Sequence, residues 1–302
     1  MSSTRPSLPL LSRGDTVGVV ATGFAVRAPL LHAGVRRLER MGFEVALGGH
    51  VLSREGYLAG DDDARAADLR AMLLDPGVKA VWFARGGYGT ARLLHRVPWS
   101  ALRRHPKLLV GYSDLTALFC AAVQRSGSRC LHGPVVTELG QPGAYHARSL
   151  RELLAGRPIV LRPRKTQVLV SGRARGRLLG GNLTVLAHLQ GTPYAPDLRG
   201  RVLFVEEVGE QAYRIDRALT QLKAAGAFRD LAAVLVGHCE VPRRRVFPPD
   251  RELGDLLAES FGSLGIPVVT GVPAGHLAGK WTLPLGGLTE VDTAARTVRL
   301  SP

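Results

Sequence analysis

In the first half of the chain, short apolar, β-branched runs alternate with segments of helical spacing. Val17–Ala21 is such a run, set after the turn Gly14-Asp15. Ala28–Met41 follows with Leu30, Leu31, Val35 and Leu38 on one helical face, and Gly42 stops it. Phe43–Leu47 reads as a second strand. Asp61-Asp62-Asp63 opens another helix, where acids suit the positive end of the helix dipole. Lys79–Ala84 is a strand, Arg85–Gly89 a tight loop and Thr90–His95 a helix. Leu108–Gly111 is again a strand and Asp114–Gln124 a helix. Short strands thus alternate with helices. They predict a parallel sheet with right-handed crossovers.

The pattern then loosens. Residues from Pro134 to Arg164 hold Gly140, Pro142, Gly143, Gly156, Pro158 and Pro163, with one short helix near Ala147–Leu154. We read this stretch as a connection between domains. The second half mixes strands near Gln167–Ser171, Val202–Glu206 and Ala232–Val236 with helices at Tyr213–Ala225 and near Asp250–Phe261. Its tail, Val268–Leu300, carries short strands broken by glycines. No repeat of roughly 20–50 residues is present. A length of 302 residues suits two domains. The expected division is residues 1–135, a linker over 136–165, and 166–302.

Composition narrows the class. At 45% hydrophobic and 22% charged residues, the chain is an ordinary globular one, which excludes disorder and coiled coil. The net charge is +15, and arginine supplies most of it. Such a field favours anionic partners, and it also fits an arginine-rich background. The arginines are scattered and aromatics make up only 6%, so no interleaved basic–aromatic platform for nucleic acid is visible. A nucleic-acid-binding protein is therefore the rival of another class, and no nucleic-acid partner is expected. The three cysteines, Cys120, Cys130 and Cys239, have no metal-type spacing and predict no disulfide framework. Met1–Asp15 lacks the apolar core of a signal peptide, and no run of about 18 apolar residues occurs. The expected location is the cytoplasm, without membrane contact.

The most informative local segment is Leu109-Val110-Gly111-Tyr112-Ser113-Asp114-Leu115. An apolar strand ends at Gly111 and a helix begins at Asp114, so Ser113 sits on the turn. Ligands of open α/β sheets bind at such strand ends, and the helix N-terminus offers N–H donors to an anion. A serine there has the mechanics of a nucleophile elbow. It also suits a helix N-cap, and Leu115 stands where the G-x-S-x-G pattern has its second glycine. A second junction, Trp82-Phe83-Ala84-Arg85-Gly86-Gly87-Tyr88-Gly89, lets backbone approach a ligand, and its arginine can grip a carboxylate. It is neither G-x-G-x-x-G nor a phosphate-binding P-loop. A plain turn remains the other reading.

Taken in order, these segments resemble the LD-carboxypeptidase family of serine peptidases, which includes murein tetrapeptide carboxypeptidases and microcin C immunity peptidases. The resemblance starts at Arg13-Gly14-Asp15-Thr16-Val17-Gly18-Val19-Val20-Ala21. It continues through Ala84–Gly89, Gly111–Leu118 and His132-Gly133-Pro134. In the second half it covers Gly180-Gly181-Asn182-Leu183, Leu203-Phe204-Val205-Glu206-Glu207, Tyr213–Arg217 and Gly271-Val272-Pro273-Ala274-Gly275-His276. It implies an α/β fold. The N-terminal parallel-sheet domain would be flavodoxin-like or class I amidotransferase-like, and the C-terminal mixed α/β domain would hold a small β-barrel-like sheet.

The resemblance also implies a triad: Ser113 as nucleophile, His276 as general base and acid, and Glu206 as the acid that orients His276. Glu207 is the neighbouring alternative, and alternation along a strand sends the two acids to opposite faces. The oxyanion donors are expected from the N–H groups of Asp114 and of Gly87 or Gly86. Arg85, with Gly86, is the candidate reader of the substrate's terminal carboxylate.

The expected reaction is release of C-terminal D-alanine from a murein-derived tetrapeptide in peptidoglycan recycling, by a homodimer that needs no cofactor and no metal. A microcin C-type immunity peptidase, cleaving a peptidyl-nucleotide, is the close alternative. A nonenzymatic descendant of the fold is disfavoured because all three triad residue types are present. His132 is read as a loop histidine, Cys120 as core, Asn182 as a helix N-cap, and Tyr213/Arg217 as a pair packed along one helix. His238-Cys239-Glu240 are consecutive and cannot easily converge on one ion. Arg243-Arg244-Arg245 is read as a solvated loop.

Overall fold

The computed structural model describes residues 11–164, 167–242 and 251–302, so the Arg243–Arg245 run lies outside the described residues. The first half contains β1 (Thr16–Val20), α1 (Ala28–Arg40), β2 (Glu44–Leu47), α2 (Asp62–Leu74) and β3 (Val78–Phe83). A 3-10 turn at Thr90–Arg96 leads to α3 (Trp99–Arg104), β4 (Leu108–Gly111), α4 (Thr116–Ser126) and β5 (Cys130–His132). The connecting stretch holds α5 (Val136–Leu139), α6 (Ala147–Leu154) and β6 (Ile159–Leu161). Next come β7 (Val168–Val170), β8 (Arg173–Asn182), α7 (Leu183–Leu189), β9 (Arg201–Val208), α8 (Ala212–Ala224) and β10 (Ala233–Glu240). The chain ends with α9 (Leu253–Phe261), β11 (Val268–Val269), β12 (Leu283–Leu285), β13 (Leu288–Asp292) and β14 (Thr297–Ser301).

Five parallel strands form the first sheet in the order β2-β1-β3-β4-β5, which is the flavodoxin-like order. The apolar runs explain it: β1, β3 and β4 are buried on both faces, as parallel strands covered by helices must be. Trp82 has no exposed surface, and its indole N–H donates to the carbonyl of Pro134 at 2.7 Å. Helix α2 starts where the aspartates said it would. Asp61 caps it by accepting from the N–H of Ala64 at 2.7 Å. The order reverses between β1 and β3, so the loops after these strands open a crevice at their carboxyl ends.

The second sheet has eight strands in the order β6-β14-β13-β8-β9-β10-β11-β7. It is mixed: β8 to β11 run parallel, and β13, β14, β6 and β7 pair antiparallel. Helix α4 is buried along nearly its whole length and packs on β5 of the first sheet and on β8 and α7 of the second unit. Two connections tie the halves further. The hydroxyl of Thr116, at the start of α4, accepts from the N–H of Asn182 at 2.9 Å. Strand β12, far along the chain, returns to pair antiparallel with β5 at the edge of the first sheet. The stretch 136–165 does more than connect, because its β6 pairs with β14.

Five elements lay outside the sequence reading: α3, β5, α5, β6 and β8. The helix expected at Thr90–His95 is a 3-10 helix over Thr90–Arg96.

Candidate active site

Ser113 follows β4 across one residue, Tyr112, and starts a 3-10 turn that continues into α4. Its φ is +70°, in the left-handed region that a side chain enters only under strain. The turn is therefore sharp, and it lifts the hydroxyl off the strand end. The N-cap reading of Ser113 does not hold. No side chain caps the 3-10 turn or α4, and the Ser113 Oγ instead meets His276 Nε2 at 3.1 Å.

His276 lies on the loop between β11 and β12. That loop leaves the second sheet and enters the first, so it crosses the crevice between them. Backbone bonds hold it: the N–H of Val272 donates to Val236 O at 2.9 Å, and that of His238 donates to Ala274 O at 2.9 Å. His276 Nδ1 lies 2.6 Å from Glu206 Oε2. Gly275 has φ +107°, and a Cβ there would stand 2.8 Å from Glu206 Oε2. Only glycine lets the loop pass this close to the carboxylate.

Glu206 has no exposed surface. Burial pushes its carboxyl up, but the neighbouring imidazoles of His132 and His276 outweigh burial and hold it down at about 2. Glu207 faces the other side of β9. Its Oε1 accepts from Asn182 Nδ2 and the N–H of Val208, and its Oε2 from the N–H and hydroxyl of Thr184. Those contacts brace the start of α7, where Asn182 is the N-cap, accepting from Val185 N–H at 3.1 Å.

The loop after β3 approaches Ser113 from the opposite side. A Cβ on Gly86 would stand 2.9 Å from the Ser113 Cβ, so this position admits only hydrogen. Gly87 has φ +107° and lies against the Phe24 ring. The Arg85 guanidinium is exposed. It donates to Ala25 O at 3.1 Å and sits over the Phe24 ring at 5.6 Å. The Asp114 side chain turns inward, where its Oδ2 accepts from the Thr90 N–H at 2.8 Å. Burial pushes its carboxyl up, against the hydrogen bonds from Thr90.

Beneath the site lies a cluster that the sequence reading did not single out. Tyr112 packs its ring 4.7 Å from the His276 ring, centroid to centroid. The Tyr112 hydroxyl donates to Glu138 Oε1 at 2.7 Å, and Lys280 Nζ donates to the same oxygen at 2.6 Å. Lys280 is buried, with its ammonium 4.6 Å above the Tyr112 ring. A signal was available: Lys280 is one of very few lysines in an arginine-rich chain, and it lies four residues beyond His276. His132, read as a loop histidine, ends β5 and turns toward Glu206. Cys120 is core, as expected, and burial pushes its thiol up to about 12.

Comparison with known proteins agrees along most of the chain. Residues 17–133 match the LD-carboxypeptidase N-terminal domain, and residues 175–291 match the LD-carboxypeptidase C-terminal domain. The chain is 37% identical to the probable murein peptide carboxypeptidase of Bacillus subtilis, over 95% of this chain and 92% of that protein. Among solved structures, the muramoyltetrapeptide carboxypeptidase of Oxalobacter formigenes superposes with a TM-score of 0.85. It is 32% identical and covers 94% of this chain and 97% of its own. The microcin C7 self-immunity protein shares the fold, with a TM-score of 0.88 at 23% identity, covering 98% of this chain and 99% of that one. With both domains matched and a relative this similar along nearly its whole length, the chain belongs to the LD-carboxypeptidase family of serine peptidases.

Proposed function

We propose that this carboxypeptidase hydrolyses the L–D peptide bond of murein tetrapeptides and releases their C-terminal D-alanine, with Ser113, His276 and Glu206 as its triad. The continuous relay from Ser113 Oγ through the His276 ring to Glu206 carries the reading. In it, His276 Nε2 takes the Ser113 proton as Oγ attacks the scissile carbonyl. The N–H groups of Asp114 and Gly87 receive the charge that develops on the carbonyl oxygen. His276 then gives its proton to the amine of the departing D-alanine, leaving an acyl-enzyme. Water, deprotonated by His276, attacks the acyl carbon, and the proton returns to Ser113 Oγ. Glu206 keeps the imidazole in the tautomer that can accept at Nε2 and stabilises the imidazolium.

The +15 charge supports attraction of a peptide that ends in a carboxylate, and Arg85 with Gly86 is our choice of reader. No helix among the described residues is long and apolar enough to cross a membrane. Action in the cytoplasm, on peptides being recycled, and as a homodimer belong to the same proposal and rest on the family resemblance.

Murein tetrapeptide and a peptidyl-nucleotide, each incubated with wild type and with Ser113→Ala, test it. D-alanine released by wild type and not by the variant is the expected result. Release by Ser113→Ala would remove Ser113 from its role, and exclusive turnover of the nucleotide conjugate would replace the substrate.

A further inference from the structure

Glu206 has two carboxylate oxygens, and the triad uses one. Oε2 is taken by His276. Oε1 is fully buried and has no hydrogen-bond partner among the described residues. The same is true of one other nitrogen nearby, His132 Nε2, which stands 4.0 Å from it. A donor-capable imidazole nitrogen and a carboxylate oxygen, both sealed from solvent, thus face each other across a gap about 1 Å longer than a hydrogen bond. A buried donor and acceptor left unmade are each destabilising.

The surroundings leave Oε1 no other donor among the described groups. On β10, the Cys239 thiol, pushed up to about 12 by burial and by Glu206 and Glu207, makes no hydrogen bond to Oε1. The Tyr112 hydroxyl is committed to Glu138 and Lys280. Gly237 and Gly275 pack on the Glu206 side chain with no side chain of their own. His132, by contrast, is aimed. It is 1% exposed and sits beside Gly111 in the register of β4 and β5. Its ring stands edge-on to Phe204 at 5.0 Å. Phe204 and Glu206 share one face of β9, so a ring pressed on the first reaches along the strand to the second. The Tyr112 ring packs against both imidazoles, at 5.6 Å from His132 and 4.7 Å from His276.

We propose that His132 is a positioning residue for this reaction: its Nε2–H holds Glu206 Oε1 while His276 occupies Oε2, so that the carboxylate is gripped from both sides. The proposal rests on the triad reading. A fully buried carboxylate with one donor is driven toward taking up a proton and is free to swing about its last bond. A second donor keeps it ionised and fixed while His276 gains and loses the serine proton.

Two variants separate this role from packing. His132→Phe keeps a planar ring and loses the donor, whereas His132→Gln keeps an N–H. With the donor gone, the Glu206 charge acts on His276 alone, which favours the protonated base. The acid limb of the kcat/KM profile therefore moves up by about half to one pH unit in His132→Phe. Its kcat falls about 10- to 100-fold with KM little changed. His132→Gln recovers most of both. A loss of kcat that follows thermal stability, with the acid limb unmoved, would overturn the proposal, as would wild-type kinetics in His132→Phe.

Nitrogen-15 imidazole spectra of the wild-type protein decide the point without turnover or a variant fold, since His132 must carry its proton on Nε2. A bare Nε2 would sink the idea even if the triad stands. Activity surviving in Ser113→Ala would instead sink the triad and leave the His132 contact as a matter of structure.

Discussion

Glu206 and Glu207 are consecutive on β9, yet their carboxylates serve different layers of the molecule. Glu206 meets His276 at 2.6 Å across the crevice, and Glu207 binds Asn182 and Thr184 at the head of α7 on the opposite face. Glu206→Gln should lower kcat by about three to four orders of magnitude, because the amide favours the wrong imidazole tautomer. Glu207→Gln should instead lower stability by about 1–3 kcal/mol, because it breaks buried hydrogen bonds to the cap. Steady-state kinetics and denaturant titration of both variants read the division. Equal effects on kcat would contradict it.

Ser113 carries strain that a glycine would not. At φ +70° a side chain costs about 1–2 kcal/mol relative to glycine. Ser113→Gly should therefore unfold at a higher temperature than both wild type and Ser113→Ala, while being as inactive as the alanine variant. A Ser113→Gly melting point at or below that of Ser113→Ala would show that the turn holds no strain.

Acid should destabilise the protein through Glu206. Its folded value, about 2, lies below the ordinary 4.5, so the group contributes stability that is fully present above about pH 4.5. That contribution is lost as pH falls toward 2. Unfolding free energy measured across this window should fall steeply for wild type and less steeply for Glu206→Gln. Parallel curves would remove Glu206 as a source of acid sensitivity.

The buried Lys280–Glu138 pair should matter to stability more than the surface pairs do. Exposed pairs such as Arg199–Asp197 are each worth at most about 1 kcal/mol. Lys280→Met leaves the Glu138 charge beside Tyr112 without its cation and should cost roughly 3–5 kcal/mol. The double variant Lys280→Met/Glu138→Gln should recover part of that loss. Urea unfolding of the three proteins provides the comparison, and additive losses would mean that the two groups do not act as a pair.

The parallel sheet was legible because each of its longer strands is an apolar run set between turn residues, and the helices between them carry a one-sided spacing. Strand β8 was not. Its sequence, Arg173 to Asn182, alternates arginine with glycine and small residues before two buried leucines, so no apolar rhythm announces it. Strand β5 is only three residues long. Strand β12 looked like part of a second-half tail, and nothing local to Leu283–Leu285 says that it returns to His132.

The same division runs through the site. Local sequence determined the strand–turn–helix that presents Ser113, the glycines that let backbone crowd it, and the alternation that parts Glu206 from Glu207. These follow from backbone geometry within a few residues. Only the tertiary structure decided which groups meet. It set His276 against Ser113 across 163 positions, turned His132 toward Glu206, and buried Lys280 on Glu138 under Tyr112. Those contacts depend on how two sheets pack about α4 and on a loop that spans both, and packing of that kind is a sum over many distant side chains that no short segment encodes.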